Sequence, residues 1–230
     1  MTPRKDVSVQ HDTPDSPEAQ ARVAEAIRQI ALGRPVVVAD DADRENEGDL
    51  IGAADAMGEP EVAFMVRHTT GILCVAIEGA RADALALPPM TGTNEDPNAT
   101  AYTITCDARA TGTGVSAADR LRTFRTLADP AAAASDLRRP GHVFPLRARP
   151  GGVLERPGHT EAAVDLARLA GRFAAGVLGE LVNDDGSMMR GPQLTDFAAR
   201  HGLVFVTVAE LIAWRHRQEG EERQGMTHAA

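Results

Sequence analysis

Between two apolar segments the chain places Asp40-Asp41-Ala42-Asp43-Arg44-Glu45-Asn46-Glu47-Gly48-Asp49, six carboxylates in ten residues. Held that close, they repel one another unless a divalent cation, an arginine or water offsets the charge. An oxygen-only cluster suits Mg2+, Mn2+ or Ca2+. The EF-hand pattern fails: with Gly48 at the sixth loop position, Ala54 falls at the twelfth, where a bidentate Glu is required. A solvated surface turn is the other reading of such a charge run.

A second feature is a repeated tetrad. Arg139-Pro140-Gly141-His142 recurs 17 residues later as Arg156-Pro157-Gly158-His159. Pro-Gly favours a type II turn with glycine at the third position, so each His is expected to leave a tight turn behind an Arg. Thr160-Glu161 then opens an amphipathic helix with Thr160 as its cap. Gly158, His159 and Thr160 would lie at that helix N-terminus, where free N–H groups, a hydroxyl and Arg156 suit a phosphate. An ordinary capped helix fits the same pattern.

Glu180 interrupts the apolar run Ala175 to Val182. Pointing inward, it is a buried carboxylate that needs a partner or a function; pointing outward, it carries no information. Thr111-Gly112-Thr113-Gly114 precedes the helix start Ser116-Ala117-Ala118-Asp119-Arg120, but its spacing is neither a Rossmann nor a Walker pattern. Cys74 and Cys106 form no CxxC and no disulfide framework, and both read as buried structural thiols.

The elements that position these residues alternate. Ser16-Pro17-Glu18 starts a helix that Gly33 closes, and Pro35–Ala39 is a buried strand. Leu50 to Ala54 reads as a strand after the acidic loop Asp40–Asp49, Glu59–His68 as a helix and Ile72–Ile77 as a strand. Residues 79–86 suggest a short helix, Thr100–Cys106 a strand, Ser116–Ala128 a helix and Val143–Leu146 a short strand. After the helix from Thr160 to Gly171 come a strand over Ala175–Val182, a helix over Pro192–His201, a strand over Leu203–Val206 and a last helix capped by Thr207. Residues 1–15 read as a disordered tail, 16–217 as a single layered domain and 218–230 as a polar tail.

Composition narrows the chemistry. Of 24 basic residues, 23 are Arg, and the single lysine, Lys5, sits in the polar N-terminal stretch. Schiff-base and pyridoxal-phosphate chemistry and a Gly-Lys-Ser/Thr phosphate loop are therefore excluded from the body. A net charge of −9 and 3% aromatics argue against nucleic-acid binding. No apolar run is long enough to span a membrane, and the N-terminus has no apolar targeting region. The expectation is a reduced, cytoplasmic protein.

Together, several of these segments resemble 3,4-dihydroxy-2-butanone 4-phosphate synthase of riboflavin biosynthesis. They are the run Asp40 to Asp49, Arg67-His68-Thr69-Thr70-Gly71, Gly114 to Arg120, Arg139 to Leu146, Arg156 to Thr160 and Gly179 to Gly186. The resemblance spans roughly residues 18–215, with the motifs in the family's order. It implies an α+β fold, a single three-layer αβα domain around a mixed sheet. It also implies a lyase that turns D-ribulose 5-phosphate into 3,4-dihydroxy-2-butanone 4-phosphate and formate. The cofactor would be Mg2+ or Mn2+, two ions per site, and the assembly a homodimer with sites near the interface.

Carried over residue by residue, Glu45 and His159 resemble the metal ligands. Arg44, Glu45, Asp49, Arg156, Pro157, Gly158, His159, Thr160 and Glu180 resemble the substrate and phosphate contacts. His142, Glu180 and Asp49 resemble the acid/base groups, with the individual proton transfers unallocated. Without a lysine to form an iminium, a metal is the natural sink for charge that builds on a ketone oxygen. Two segments depart from the family: Gly112-Thr113-Gly114 stands where many members have Thr-Thr-Gly, and Thr91–Ala99 matches poorly, as a variable loop would. With only a short polar stretch after about residue 215, a stand-alone synthase is expected rather than a fusion to a GTP cyclohydrolase II domain.

Overall fold

Seven strands form one mixed sheet in the order β4-β5-β3-β6-β2-β1-β7. In this computed structural model residues 13–228 are described, with side chains through Glu221; residues 1–12 of the tail expected over 1–15, and the last two residues, lie outside them. The strands are β1 Val36–Ala39, β2 Gly48–Ala53, β3 Cys74–Glu78, β4 Cys106–Ala108, β5 Leu137–Ala148, β6 Ala175–Glu180 and β7 Phe205–Thr207. The helices are α1 Pro17–Ala31, α2 Glu59–His68, α3 Gly79–Ala84, α4 Ala117–Ala128, α5 His159–Leu169, α6 Pro192–His201 and α7 Val208–His228. β1 pairs parallel with β7 and β3 with β5, while the other ladders are antiparallel.

Alternation along the strands builds the layers. Val36, Val38, Ile51, Ala53, Cys74, Ala76 and Leu178 pack with α1, α5 and α7. Val37, Ala39, Leu50, Val75, Ile77 and Val177 pack with α2, α3, α4 and α6 on the opposite face. A sheet covered on both faces requires near-continuous apolar strands, which β1 and β3 supply. The result is the expected three-layer αβα domain. Ser16 and Ser116 cap α1 and α4 as expected, each accepting from the backbone three residues on. Thr207 and Glu210 cap α7 reciprocally. That last helix continues through His228, past the point where a polar tail was expected. Among the described residues no helix is long and apolar enough to cross a membrane.

Several expectations are corrected. β2 starts at Gly48, because Gly48 and Asp49 pair with Ala39 and Val38; Asp49 therefore belongs to the sheet and not to the acidic loop. The strand expected over Thr100–Cys106 is instead the three-residue β4, and Tyr102 and Thr103 make only isolated bridges. Tyr102 bridges Leu146, next to Pro145, and Thr103 bridges Pro89; neither proline has an N–H to extend a ladder. β5 runs from Leu137, far earlier than Val143, and so takes in the first Pro-Gly tetrad. Neither tetrad is a type II turn. Gly141 lies in β5, where a Cβ would fall 2.1 Å from the Cys106 backbone, opposite the register shift between Cys106 and Asp107. Gly158 has φ −127° and is itself the N-cap of α5, so Thr160 sits inside the first turn rather than capping it.

Candidate active site

Asp40 organises the acidic loop. Its side chain is fully buried and accepts from the backbone N–H groups of Glu45, at 3.0 Å, and Glu47, at 2.9 Å. It also takes a hydrogen bond from Arg44 Nη1 at 3.0 Å. Charge-assisted bonds of this kind fix the loop around one carboxylate and turn Glu45 toward the start of α5. There Glu45 Oε2 lies 3.3 Å from His159 Nδ1 and 2.9 Å from Arg44 Nη1. The His159 hydrogen bond, helped by Arg44, holds the Glu45 carboxyl below its ordinary value despite partial burial.

Strand parity brings in the other two carboxylates. Asp49 shares a face with Ile51 and Ala53, and Glu180 shares one with Leu178, so both point to the α5 side. They are direct partners across the β2–β6 ladder. Asp49 is 2% exposed, and its Oδ1 is 3.7 Å from His159 Nδ1. Burial pushes the Asp49 carboxyl up to about 7; His159 pulls the other way, while Glu180, Glu45 and Asp40 add to the rise. For His159, burial pulls the imidazole down, but Asp49, Glu45 and Asp40 outweigh it and raise it to about 9. Glu180 is half-buried and accepts from the Thr70 hydroxyl at 2.7 Å. Glu180 thus faces the α5 side, as the inward reading has it, but is half-buried rather than buried, with Thr70 as its partner.

The residues fit a divalent cation. One atom each of Asp40, Glu45 and His159 lie within 4.8 Å of one another. His159 Nε2 and Asp49 Oδ1 are buried and have no hydrogen-bond partner. Unpaired buried polar atoms are costly and rare, so their presence on two residues of this cluster points to a ligand that satisfies them. The Asp/Glu/His donor set, with room left for substrate oxygens, suits Mg2+ or Mn2+.

Beside this cluster two arginines meet at a helix start. At Gly158 a Cβ would meet Arg156 Nη1 at 2.6 Å and Arg44 Nη2 at 2.9 Å, so two guanidiniums converge on the N-terminus of α5. Pro157 leads into that turn, and His159 and Thr160, both 5% exposed, are its first helical residues. Arg156 is held by Glu161, at 2.7 Å, and by the Asn98 carbonyl, at 2.9 Å. Two guanidiniums at a helix N-terminus suit a phosphate.

Arg44, Glu45, Asp49, Arg156, Pro157, Gly158, His159, Thr160 and Glu180 are thus brought together, and His142 is not. Phe144 and Leu178 both face Cys74 across their ladders, so His142 and Glu180 lie on one row two strands apart, about 10 Å. Cys74 and Cys106 are buried free thiols. Burial raises both, Cys106 to about 12, which leaves them unreactive. Residue types and spacing missed two contributors. Asp40 was visible only as one of six acids. Asn98 lies in the poorly matching loop, yet its amide donates to Glu45 Oε1 at 2.8 Å while its carbonyl holds Arg156.

The family model described as 3,4-dihydroxy-2-butanone 4-phosphate synthase matches residues 24–214. The chain belongs to that family. A riboflavin biosynthesis protein RibBA of Salinispora arenicola is 60% identical over 198 residues, covering 86% of this chain and 47% of the relative. The chain spans about half the length of the curated relatives it matches. A crystal structure of 3,4-dihydroxy-2-butanone 4-phosphate synthase in complex with two magnesium ions superposes with a TM-score of 0.83 at 44% identity, covering 86% of this chain and 98% of the other. A cation-free form of such a synthase gives 0.79 at 43% identity, with the same coverage.

Proposed function

We propose that this chain converts D-ribulose 5-phosphate to 3,4-dihydroxy-2-butanone 4-phosphate and formate with the help of Mg2+ or Mn2+. The observation that carries this reading is the meeting of Glu45, Asp49 and His159 at the N-terminus of α5, beside two converging guanidiniums, in a member of this family. Glu45 and His159 would hold the metal, with Asp40 as a further donor at the same spot. When bound, the cation offers positive charge to a ketone oxygen as the neighbouring carbon loses its proton.

The chain's own groups do the rest. Arg44, Arg156 and the free N–H groups of the first α5 turn bind the phosphate and fix the sugar's reach into the pocket. Asp49, whose carboxyl is raised by burial in the metal-free chain, is placed to take up and return a proton. Glu180 faces it across the ladder and is steadied by Thr70, so two carboxyls stand ready for successive transfers. No lysine is available for an iminium in the body of the chain, which agrees with metal-assisted enolisation, dehydration and a carbon shift.

A homodimer belongs to the same reading. Ile72, 49% exposed, and Val115, 45% exposed, flank Arg120, which bonds the Gly71 and Val115 carbonyls. Apolar side chains grouped in this way suit a second copy of the chain. Incubation with ribulose 5-phosphate and Mg2+ tests the activity by release of formate, and light scattering on the eluting protein tests the dimer.

A further inference from the structure

Asp107 is buried in β4, 1% exposed, and is not in contact with the cluster around His159. It faces His142 twice. Asp107 Oδ1 accepts from the His142 backbone N–H at 2.9 Å, and Oδ2 lies 2.9 Å from His142 Nδ1. A carboxylate only accepts, so Nδ1 carries the ring proton and Nε2 presents its lone pair. The His142 side chain is half exposed, which leaves Nε2 open to a substrate.

The surroundings hold that carboxylate in one place. Arg138 Nη2 is 3.7 Å from Oδ2 and offsets its charge, and the same guanidinium bonds the Thr111 hydroxyl at 3.0 Å. Gly114, at φ +85°, passes so close that a Cβ would fall 2.2 Å from Oδ2. Gly141 bonds the Thr105 hydroxyl through its N–H at 3.1 Å and sits where no Cβ fits. Gly114, the glycine that this loop shares with the family's Thr-Thr-Gly, thus closes over Asp107, while the departing Gly112 lies beside Asp119.

We propose that Asp107 is a positioning residue that sets the tautomer and direction of His142, so that Nε2 takes up and returns a proton during turnover. In that step the substrate C–H or O–H bond breaks, its electron pair stays on the substrate, and an N–H bond forms at Nε2. Asp107 remains ionised and faces the charge that appears on the ring. This rests on reading His142 as an acid/base group of the proposed synthase reaction.

Asp107→Asn preserves size but changes the chemistry. The His142 backbone N–H keeps the amide oxygen, so the amide NH2 faces Nδ1 and drives the ring proton to Nε2. The expected loss in kcat is about 10²- to 10⁴-fold, the range for losing one positioned acid or base. The test has three parts on the Mg2+-loaded chain. Nitrogen-15 histidine spectra of the wild type, with His142→Gln as the assignment control, should show His142 with the proton on Nδ1; a proton on Nε2 overturns the proposal without reference to activity. In a double-mutant cycle, Asp107→Asn should cost little more in the His142→Gln background, because it acts through His142. An equal loss in both backgrounds makes Asp107 merely structural and overturns the proposal, as does a kcat within threefold of an active wild type. Absence of formate from the wild type itself, with the Nδ1 tautomer seen, removes the synthase reading and with it a role for this pair in turnover.

Discussion

Asp49 and Glu180 are direct cross-strand partners in the β2–β6 ladder, two carboxyls side by side on the face that α5 covers. Like charges in that position repel. Asp49 answers by holding a proton up to about 7, driven first by burial and then in part by Glu180.

Replacing Glu180 with Gln removes one of the charges that raises Asp49, so Asp49 should titrate lower. Carbon-13 carboxyl spectra of the metal-free variant across pH 4 to 8 measure this. The same variant should lose about 10²- to 10⁴-fold in kcat, as expected for an acid/base group, with the melting temperature little changed. A kcat within a few-fold of wild type would show that Glu180 carries no proton.

His159 gives a pH prediction whose sign follows from linkage. Its folded value, about 9, lies above the ordinary 6.5, so the native state holds a proton that the unfolded state has released between those values. Stability from this group is complete below pH 6.5 and lost as pH rises through 9. The melting temperature of metal-free protein should therefore fall over that window, and the fall should vanish in His159→Gln. Metal needs the neutral imidazole. Mg2+ binding at pH 7 should then release about one proton, read by calorimetry in buffers of different ionisation enthalpy, and affinity should rise toward pH 9.

Asp40 accepts two backbone N–H bonds and one guanidinium bond from a fully buried position. Asp40→Asn leaves at least one of those donors facing an NH2 group, at a cost of about 1–3 kcal/mol. The variant should bind Mn2+ about 10- to 100-fold more weakly, because it weakens one proposed donor and loosens the loop that aims Glu45, measured by electron paramagnetic resonance. Unchanged Mn2+ affinity would free the loop geometry from Asp40.

Ile72→Asp places a charge in the exposed apolar face around Arg120. It should convert a dimer to a monomer, seen by analytical ultracentrifugation at micromolar concentration. A wild type that sediments as a monomer would remove the homodimer from the account.

Much of this was legible in the chain itself. The helix starts at Ser16 and Ser116 follow from side-chain oxygens that satisfy free N–H groups, a local rule that needs no tertiary structure. The αβα layering follows from valine-rich strands that must be buried on both faces. What failed was non-local. Pro140-Gly141 reads as a turn, yet it lies within β5, in the irregularity between the Arg138–Asp107 and Val143–Cys106 pairs, where only glycine fits against the Cys106 backbone. Gly48-Asp49 reads as loop because its ladder partners, Ala39 and Val38, lie ten residues or so upstream. The roles of Asp107 and Asn98 rest on contacts 35 and 53 residues away, which no spacing encodes.

The central claim is turnover of a sugar phosphate by the metal-binding cluster at the start of α5. It is tested most directly by quantifying formate after incubating the purified chain with ribulose 5-phosphate and Mg2+. The account predicts one formate for each ribulose 5-phosphate consumed, none after EDTA, and recovery on adding Mg2+ or Mn2+. Folded, Mg2+-loaded protein that consumes no ribulose 5-phosphate and releases no formate would contradict it.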